Sequence, residues 1–290
     1  MSFISRFARQ AILAAAISAV GSSWAAAQTY EVAPSLATCS DASYDKSREA
    51  GIVIGIAEAP PYSSIDPKTG EATGIDVEIN KAVLDWMQVK NVRYEVMPFN
   101  SIIPSLLSKR IDMIGTNIHV TPDREKVITF SGPVWWYGPA IVVKAGNPLG
   151  IKGFDDLKEK KVGVILGSAA DEYIRKIGAQ AEPFQAHAEE FASLLQGRVD
   201  ALLEDDAEFI NFKRQNPDAP LEMVAGVVLP EDLLKQGYGY ARYGFRKEDC
   251  SLRAMYSQGI AEMRGAGAVS TVLKQHGYGD RNLFVFPVGE

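Results

Sequence analysis

The chain is short of cysteine, short of histidine and without a block of basic residues, and each shortage closes off a class of function. Its 290 residues include two cysteines and three histidines. His119, His187 and His276 lie far apart with no Cys/His cluster beside them, so the sequence offers no metal site of familiar spacing. Lys and Arg total 30 against 36 Asp and Glu, a formal net charge of −6. No basic stripe appears, which argues against nucleic acid and anionic membrane surfaces as partners. There is no Gly-x-Ser-x-Gly elbow, no phosphate loop ending in Gly-Lys-Ser/Thr and no complete dinucleotide fingerprint; Gly237-Tyr238-Gly239-Tyr240 is half of one. Beyond the first residues no apolar run approaches bilayer-spanning length. The expectation is therefore no catalytic residue, no metal and no cofactor.

What is present begins with an export signal. Arg6 and Arg9 give a positive start, residues 11–20 are small and apolar apart from Ser18, and Ala25-Ala26-Ala27 offers a cleavage site. This predicts a signal peptide over 1–27, cut before Gln28. The apolar run is too short for an anchor, and the arginines are not adjacent, so a twin-arginine signal is not indicated. Without Arg6 and Arg9 the chain has 28 basic against 36 acidic residues, a net of −8. In an oxidising compartment Cys39 and Cys250 are expected to pair. The bridge would tie a polar extension over 28–48 to a point near the C-terminus, and loop entropy credits it with about 5 kcal/mol at most.

From Gly51 the pattern alternates. Strands are predicted over 52–56, 92–96 and 111–115, and helices over 76–87, 101–108 (with Ser101 as cap and Pro104 in the first turn) and 122–127. This βαβαβ order predicts a parallel sheet covered by helices. A second set follows Trp135-Trp136-Tyr137-Gly138-Pro139. Its strands are placed at 140–144, 162–165, 201–203 and 221–224, and its helices at 154–158, 169–177, 189–196 and 206–215. An apolar-aromatic strand over 237–245 and helices over 252–263 and 270–276 close the chain. The tail has too few strands for a third unit and is expected to return to the first. Two crossings, at about 135–139 and 236–240, would form a hinge. Arg124 stands just after a Thr-Pro-Asp helix start that follows an apolar strand, where its planar fork could grip a carboxylate.

Several segments in order carry a resemblance. They are Pro61-Tyr62 after the first strand, Gly74-Ile75-Asp76-Val77-Glu78-Ile79, Phe99-Asn100-Ser101-Ile102-Ile103-Pro104-Ser105-Leu106, and the run from Asp112 through Thr121 and Arg124 to Phe130-Ser131. Gly167-Ser168 and Val199-Asp200-Ala201 extend it. The chain resembles the periplasmic solute-binding proteins of the polar amino acid transporter family over nearly all of residues 50–280. The resemblance implies the α/β, two-lobed type II binding-protein fold, with lobe 1 over 49–137 and 238–290 and lobe 2 over 138–237. It implies an amino-acid-like ligand, the permease of an ATP-driven importer as partner, and a periplasmic, monomeric protein. Arg124 would take the ligand carboxylate and Asp205 its ammonium, against the alternative that Asp205 is a helix cap. Ser168 could meet the carboxylate from a helix start. Phe99 and Tyr62 match the aromatic clamp, and Trp135 and Trp136 flank the first crossing, one at least of them core. Thr116 belongs to the same candidate set, as do Asn117 and His119, which stand where small residues are usual. Glu58 could replace an Asp that many members carry, and Ile165 stands where some place a polar contact. Glu58, Glu204 and Asp205 together tilt the expected ligand towards a cationic or zwitterionic amino acid or an opine-like conjugate.

Two other readings stand beside this one. An ectoine-type compatible-solute receptor shares His-Val-Thr-Pro-Asp-Arg and the closing Gly-Tyr-Gly-Asp-Arg-Asn-Leu. A cyclohexadienyl dehydratase uses the same scaffold, and would need a cleft acid such as Glu58 or Glu204. A sensor ectodomain should carry a transmembrane segment and a signalling domain, and neither is recognisable in the sequence.

Overall fold

The computed structural model describes residues 38–283. The expected signal peptide, residues 28–37 of the extension and the last seven residues lie outside them. The first lobe holds α1 (Ser43–Ala50), β1 (Ile52–Ile56), β2 (Ser64–Ile65), β3 (Ala72–Thr73), α2 (Ile75–Trp86), β4 (Val92–Val96), α3 (Ile102–Leu107), β5 (Met113–Ile114), α4 (Pro122–Val127) and β6 (Ile128–Phe130). The second holds β7 (Pro139–Lys144), β8 (Lys161–Ile165), α5 (Ala169–Lys176), β9 (Gln180–Phe184), α6 (His187–Leu195), β10 (Ala201–Asp205), α7 (Asp206–Gln215), β11 (Leu221–Met223) and α8 (Glu231–Lys235). The chain then returns to the first sheet as β12 (Gly244–Arg246), followed by α9 (Cys250–Gly265) and α10 (Ala268–Gln275).

Each lobe is built on a five-stranded mixed sheet. The first runs β4-β1-β5-β12-β6, with β4 and β5 parallel to β1 and with β12 antiparallel to both β5 and β6. The second runs β11-β7-β10-β8-β9, with β8 parallel to β10 and β9 while β7 opposes β10. Ile54, Ile56, Val83 and Tyr256 are buried in the first core, and Val162, Val164, Ala201 and Leu203 in the second. A fully buried aliphatic of this size contributes about 1.5–3 kcal/mol relative to exposure. That near-continuous apolar character is why β1, β8 and β10 are strands covered on both faces.

The two crossings run side by side. Trp136 bridges Tyr240, and Tyr137 N–H donates to Gly239 O at 2.8 Å. Gly239 has φ +96°, and a Cβ there would fall 2.4 Å from the Trp136 ring, so the close approach needs glycine.

Five sequence expectations change. The extension is not irregular throughout: α1 forms within it, docked on α9 by the Cys39–Cys250 disulfide, whose Cα atoms are 5.5 Å apart. Asp41 reinforces the joint by accepting from Ser251 N–H at 2.9 Å and Ser43 N–H at 3.0 Å, which supplies α9 with a cap from another segment. Ser101 makes no side-chain cap; residues 99–101 form a 3₁₀ turn ahead of α3. The strand expected over 237–245 is reduced to 244–246, because the earlier residues are spent on the hinge. The first sheet, expected to be parallel, is mixed because β12 enters it antiparallel, and the polar stretch at 180–184, to which the sequence assigns no element, pairs as β9 along the whole of β8. Tertiary pairing outweighs its poor strand propensity.

Candidate functional site

A cavity open to solvent lies between the lobes. Tyr62, Phe99, Thr116, Asn117 and His119 line it from the first lobe, and Ile165, Ser168, His187, Glu204 and Asp205 from the second. Tyr137 and Tyr238, one on each crossing, complete the wall.

The first-lobe wall is the loop after β5. α2 holds it: Asn80 Nδ2 donates to Gly115 O at 2.7 Å, and the Asp76 carboxylate accepts from Asn117 N–H at 2.7 Å. Asp76 also accepts from the Tyr243 hydroxyl at 3.0 Å and is buried, so it is a support beneath the site rather than part of its surface. Ser63 Oγ donates to Thr116 Oγ1 at 3.1 Å, which fixes that hydroxyl. The loop then enters α4, where Thr121 caps the helix by accepting from Arg124 N–H at 3.3 Å and Pro122 opens the first turn.

Arg124 is 8 % exposed. One guanidinium nitrogen donates to His119 O at 2.7 Å, the other crosses to Gly167 O at 2.9 Å in the second lobe, and its Cζ lies 5.5 Å from the Phe99 ring centroid. Arg124 does not itself line the cavity, but it touches Phe99 and His119, which do. Burial lowers its pKa to about 10, which leaves it charged at neutral pH.

Opposite, Gly167 and Ser168 open α5. Ser168 Oγ accepts from Asp171 N–H at 3.1 Å while Asp171 accepts from Gly167 N–H at 3.1 Å, a reciprocal cap that orients the Gly167 carbonyl towards Arg124. Ser168 is thus both a helix cap and a cavity residue. Asp205 stands at the N-cap position of α7 without a side-chain cap bond, so its carboxylate is not committed to the helix. Desolvation, then the neighbouring Glu204 and Glu208, push its pKa well above the usual carboxylate range.

The remaining sequence candidates divide. Tyr62 is buried in the wall with its hydroxyl unpartnered, as are Asn117 Nδ2 and His119 Nε2. His119 stacks on Tyr238 with ring centroids 3.9 Å apart. Burial, reinforced by Arg124, drops its pKa to about 3, so it is a neutral imidazole. Glu58 is placed elsewhere: it is exposed, accepts from Ile65 N–H at 3.3 Å and does not line the cavity, because the chain turns its side chain towards β2. Neither tryptophan lines the cavity; Trp135 is buried in the first core and Trp136 packs on Tyr240. Sequence reasoning passed over Tyr137, Tyr238 and His187. The two tyrosines could have been found from their places at the crossings. For His187 the signal was weaker, a histidine and a glutamate three residues apart at a helix start.

An interlobe cavity with an arginine buried behind one wall and an uncapped carboxylate on the other fits a two-lobed solute-binding protein, and comparison gives the family. Residues 52–278 match the bacterial extracellular solute-binding proteins, family 3, and the chain belongs to that family. It is similar to the lysine/arginine/ornithine-binding periplasmic protein of Escherichia coli (strain K12), 29% identical over 229 residues, covering 77% of this chain and 85% of that one. A solved ancestral arginine-binding protein bound to arginine is 31% identical with a TM-score of 0.68, covering 78% of this chain and 97% of its own. An ancestral amino acid-binding protein described as a precursor of cyclohexadienyl dehydratase is 25% identical with a TM-score of 0.68, covering 80% of this chain and 98% of its own. These relatives are binding proteins, and the last of them shows that the fold stands close to an enzyme.

Proposed function

We propose that this protein is the exported, periplasmic receptor of an ABC importer, monomeric and without catalysis of its own, and that its ligand is a polar amino acid with a cationic side chain favoured. The supporting observation is one interlobe cavity lined by Asp205, with Arg124 buried behind Phe99 and His119 of the first-lobe wall. In this reading the Arg124 fork takes the ligand α-carboxylate, exchanging carbonyl bonds for charge-assisted ones. Asp205 takes the α-ammonium, and Tyr62, Phe99 and the hinge tyrosines enclose the aliphatic stem. The acids of the second-lobe wall, and the arginine named for two relatives, favour a basic side chain. Lobe 1 comprises 49–137 and 238–290 and lobe 2 comprises 138–237, and their rotation about the two crossings brings Ser168 and Asp205 onto the ligand. The permease would read the closed form.

The test is a thermal-shift and calorimetric screen of amino acids, opines, polyamines and ectoine-type solutes, since a specific ligand raises the melting temperature by mass action. Saturable binding of a basic amino acid supports the reading; an exclusive response to ectoine-type solutes would move it to that branch. Turnover of prephenate or arogenate by the purified chain would overturn the receptor function.

A further inference from the structure

The second lobe carries a cluster that begins at the cavity wall with His187 and Glu204 and continues behind it to Glu190 and Glu208. At the start of α6, His187 Nδ1 lies 2.8 Å from Glu204 Oε1 and 3.6 Å from Glu190 Oε2, while its Nε2 lies 3.6 Å from Glu208 Oε1. Three carboxylates from three elements thus converge on one imidazole. Glu190 is 0 % exposed, and neither of its oxygens has a hydrogen-bond donor within reach. The His187, Glu190 and Glu204 ligand atoms all lie within 4.8 Å of one another. Two buried carboxylates held side by side need a proton or a cation between them.

We propose that His187 Nδ1, Glu190 and Glu204 form a site for one divalent first-row transition-metal ion of the Zn²⁺ type, with Glu208 facing the opposite ring nitrogen. Tetrahedral Zn²⁺ with bonds of about 2.1 Å places its ligand atoms about 3.4 Å apart. The His187–Glu190 spacing of 3.6 Å already matches this. The hydrogen bond from His187 to Glu204 opens as the ion replaces the proton. Glu208 Oε1 lies 3.6 Å from Nε2, where a small approach would let it accept from Nε2–H and fix the tautomer of the ligating histidine. His187 and Glu204 also line the interlobe cavity, which gives the ion a path inward and leaves the fourth position to water.

A dication at this point would be matched by the two buried carboxylates that already face it, Glu190 and Glu204, so it would not be buried without compensating charge.

The test uses tag-free full-chain protein stripped with a chelator and titrated with Zn²⁺ by calorimetry in two buffers of different protonation enthalpy. The expected result is one saturable site per chain, with proton release on binding. Glu190→Gln, which keeps the shape and removes the charge, should weaken Zn²⁺ binding at least tenfold. Glu208→Gln should weaken it less. Co²⁺ in place of Zn²⁺ gives a readout on the unmutated protein, with visible d–d bands of low coordination number. Absence of saturable binding, binding of equal strength in Glu190→Gln and His187→Gln, or a Co²⁺ spectrum of the hexaaquo type would each overturn the proposal. Should Glu190→Gln fail to fold, the stoichiometry, proton release and Co²⁺ spectrum of the unmutated chain decide alone.

Discussion

The two walls of the cleft solve the same problem in different ways. Behind the first-lobe wall lies one cation, Arg124, whose charge is fixed at any neutral pH, among groups that are neutral by burial or by nature. Its geometry comes from backbone carbonyls and from Asp76 and Asn80 beneath the loop. The second-lobe wall presents carboxylates whose charge depends on their neighbours, with Glu204 held ionised and Asp205 pushed towards the neutral acid. One wall is a permanent charge and the other a conditional one. A ligand carrying both a carboxylate and an ammonium would be read by groups of unequal robustness.

The largest effect should come from removing the permanent charge. Arg124→Ala is expected to cost about 2–5 kcal/mol of ligand binding, the range for one partner of a buried charge pair. Calorimetry with the best amino-acid ligand checks this, and unchanged affinity would exclude a carboxylate clamp at Arg124. Arg124→Lys should recover only part of the loss, since a point charge cannot replace a two-pronged fork.

Asp205→Asn comes next and tests the conditional side. It should weaken ammonium-bearing ligands by about tenfold, with much smaller losses for analogues that lack the ammonium. The pH profile sharpens the contrast. Asp205 titrates above the ordinary carboxylate range, with Glu204, Glu208, Asp206 and His187 around it. A bound ammonium favours its ionised form, so binding releases a proton and affinity falls as pH drops. In the wild type this fall should begin above the usual carboxylate range, and in Asp205→Asn the slope should flatten. Equal slopes in both proteins would take the pH dependence away from Asp205.

The contact between the walls offers a smaller perturbation. Gly167 has φ +75°, and a Cβ there would meet Asn100 Cβ at 3.2 Å. Gly167→Ala should disfavour the arrangement in which Arg124 reaches the Gly167 carbonyl, by about 1 kcal/mol from the backbone alone. Small-angle scattering with and without ligand would show a weaker contraction; an identical contraction at equal affinity would show that this approach does not limit closure.

The same contrast explains what was legible in the sequence. Arg124 could be read because it sits in a local pattern: an apolar strand, a Thr-Pro helix start and a residue two places on. Ser168 and Asp205 also stand at strand-to-helix turns, where a helix cap is the plain reading, and it is the family resemblance that singles them out. The order of strands and helices follows from apolar periodicity, which is also local. The acid cluster could not be read, because it joins α6, β10 and α7, and pairing between distant elements leaves no mark in spacing. Asp76 was visible only as part of a motif, and its task of holding Asn117 N–H depends on how α2 packs beneath the loop. Glu58 shows the opposite failure: sequence proximity to the cleft suggested a role, and the turn of one side chain towards β2 removes it from the cavity.

The smallest predicted effect lies far from both walls and separates acid stability from acid binding. Asp41 joins the N-terminal segment to α9 beside the disulfide. Burial alone would raise its pKa, but the hydrogen bonds from Ser43 and Ser251 outweigh it and set the value at about 2, below the usual 3.8. A carboxyl with a depressed folded-state pKa stabilises the fold above its unfolded pKa, and that contribution is lost as pH falls from near 4 to near 2. Asp41→Ala should therefore lower neutral-pH stability by about 1 kcal/mol, the worth of a helix cap, and leave ligand affinity unchanged. Denaturant curves for wild type and variant should converge by pH 2, whereas the affinity profile of the cleft should have fallen at distinctly higher pH. A stability gap that persists undiminished at pH 2 would mean that Asp41 holds the joint by packing rather than by charge.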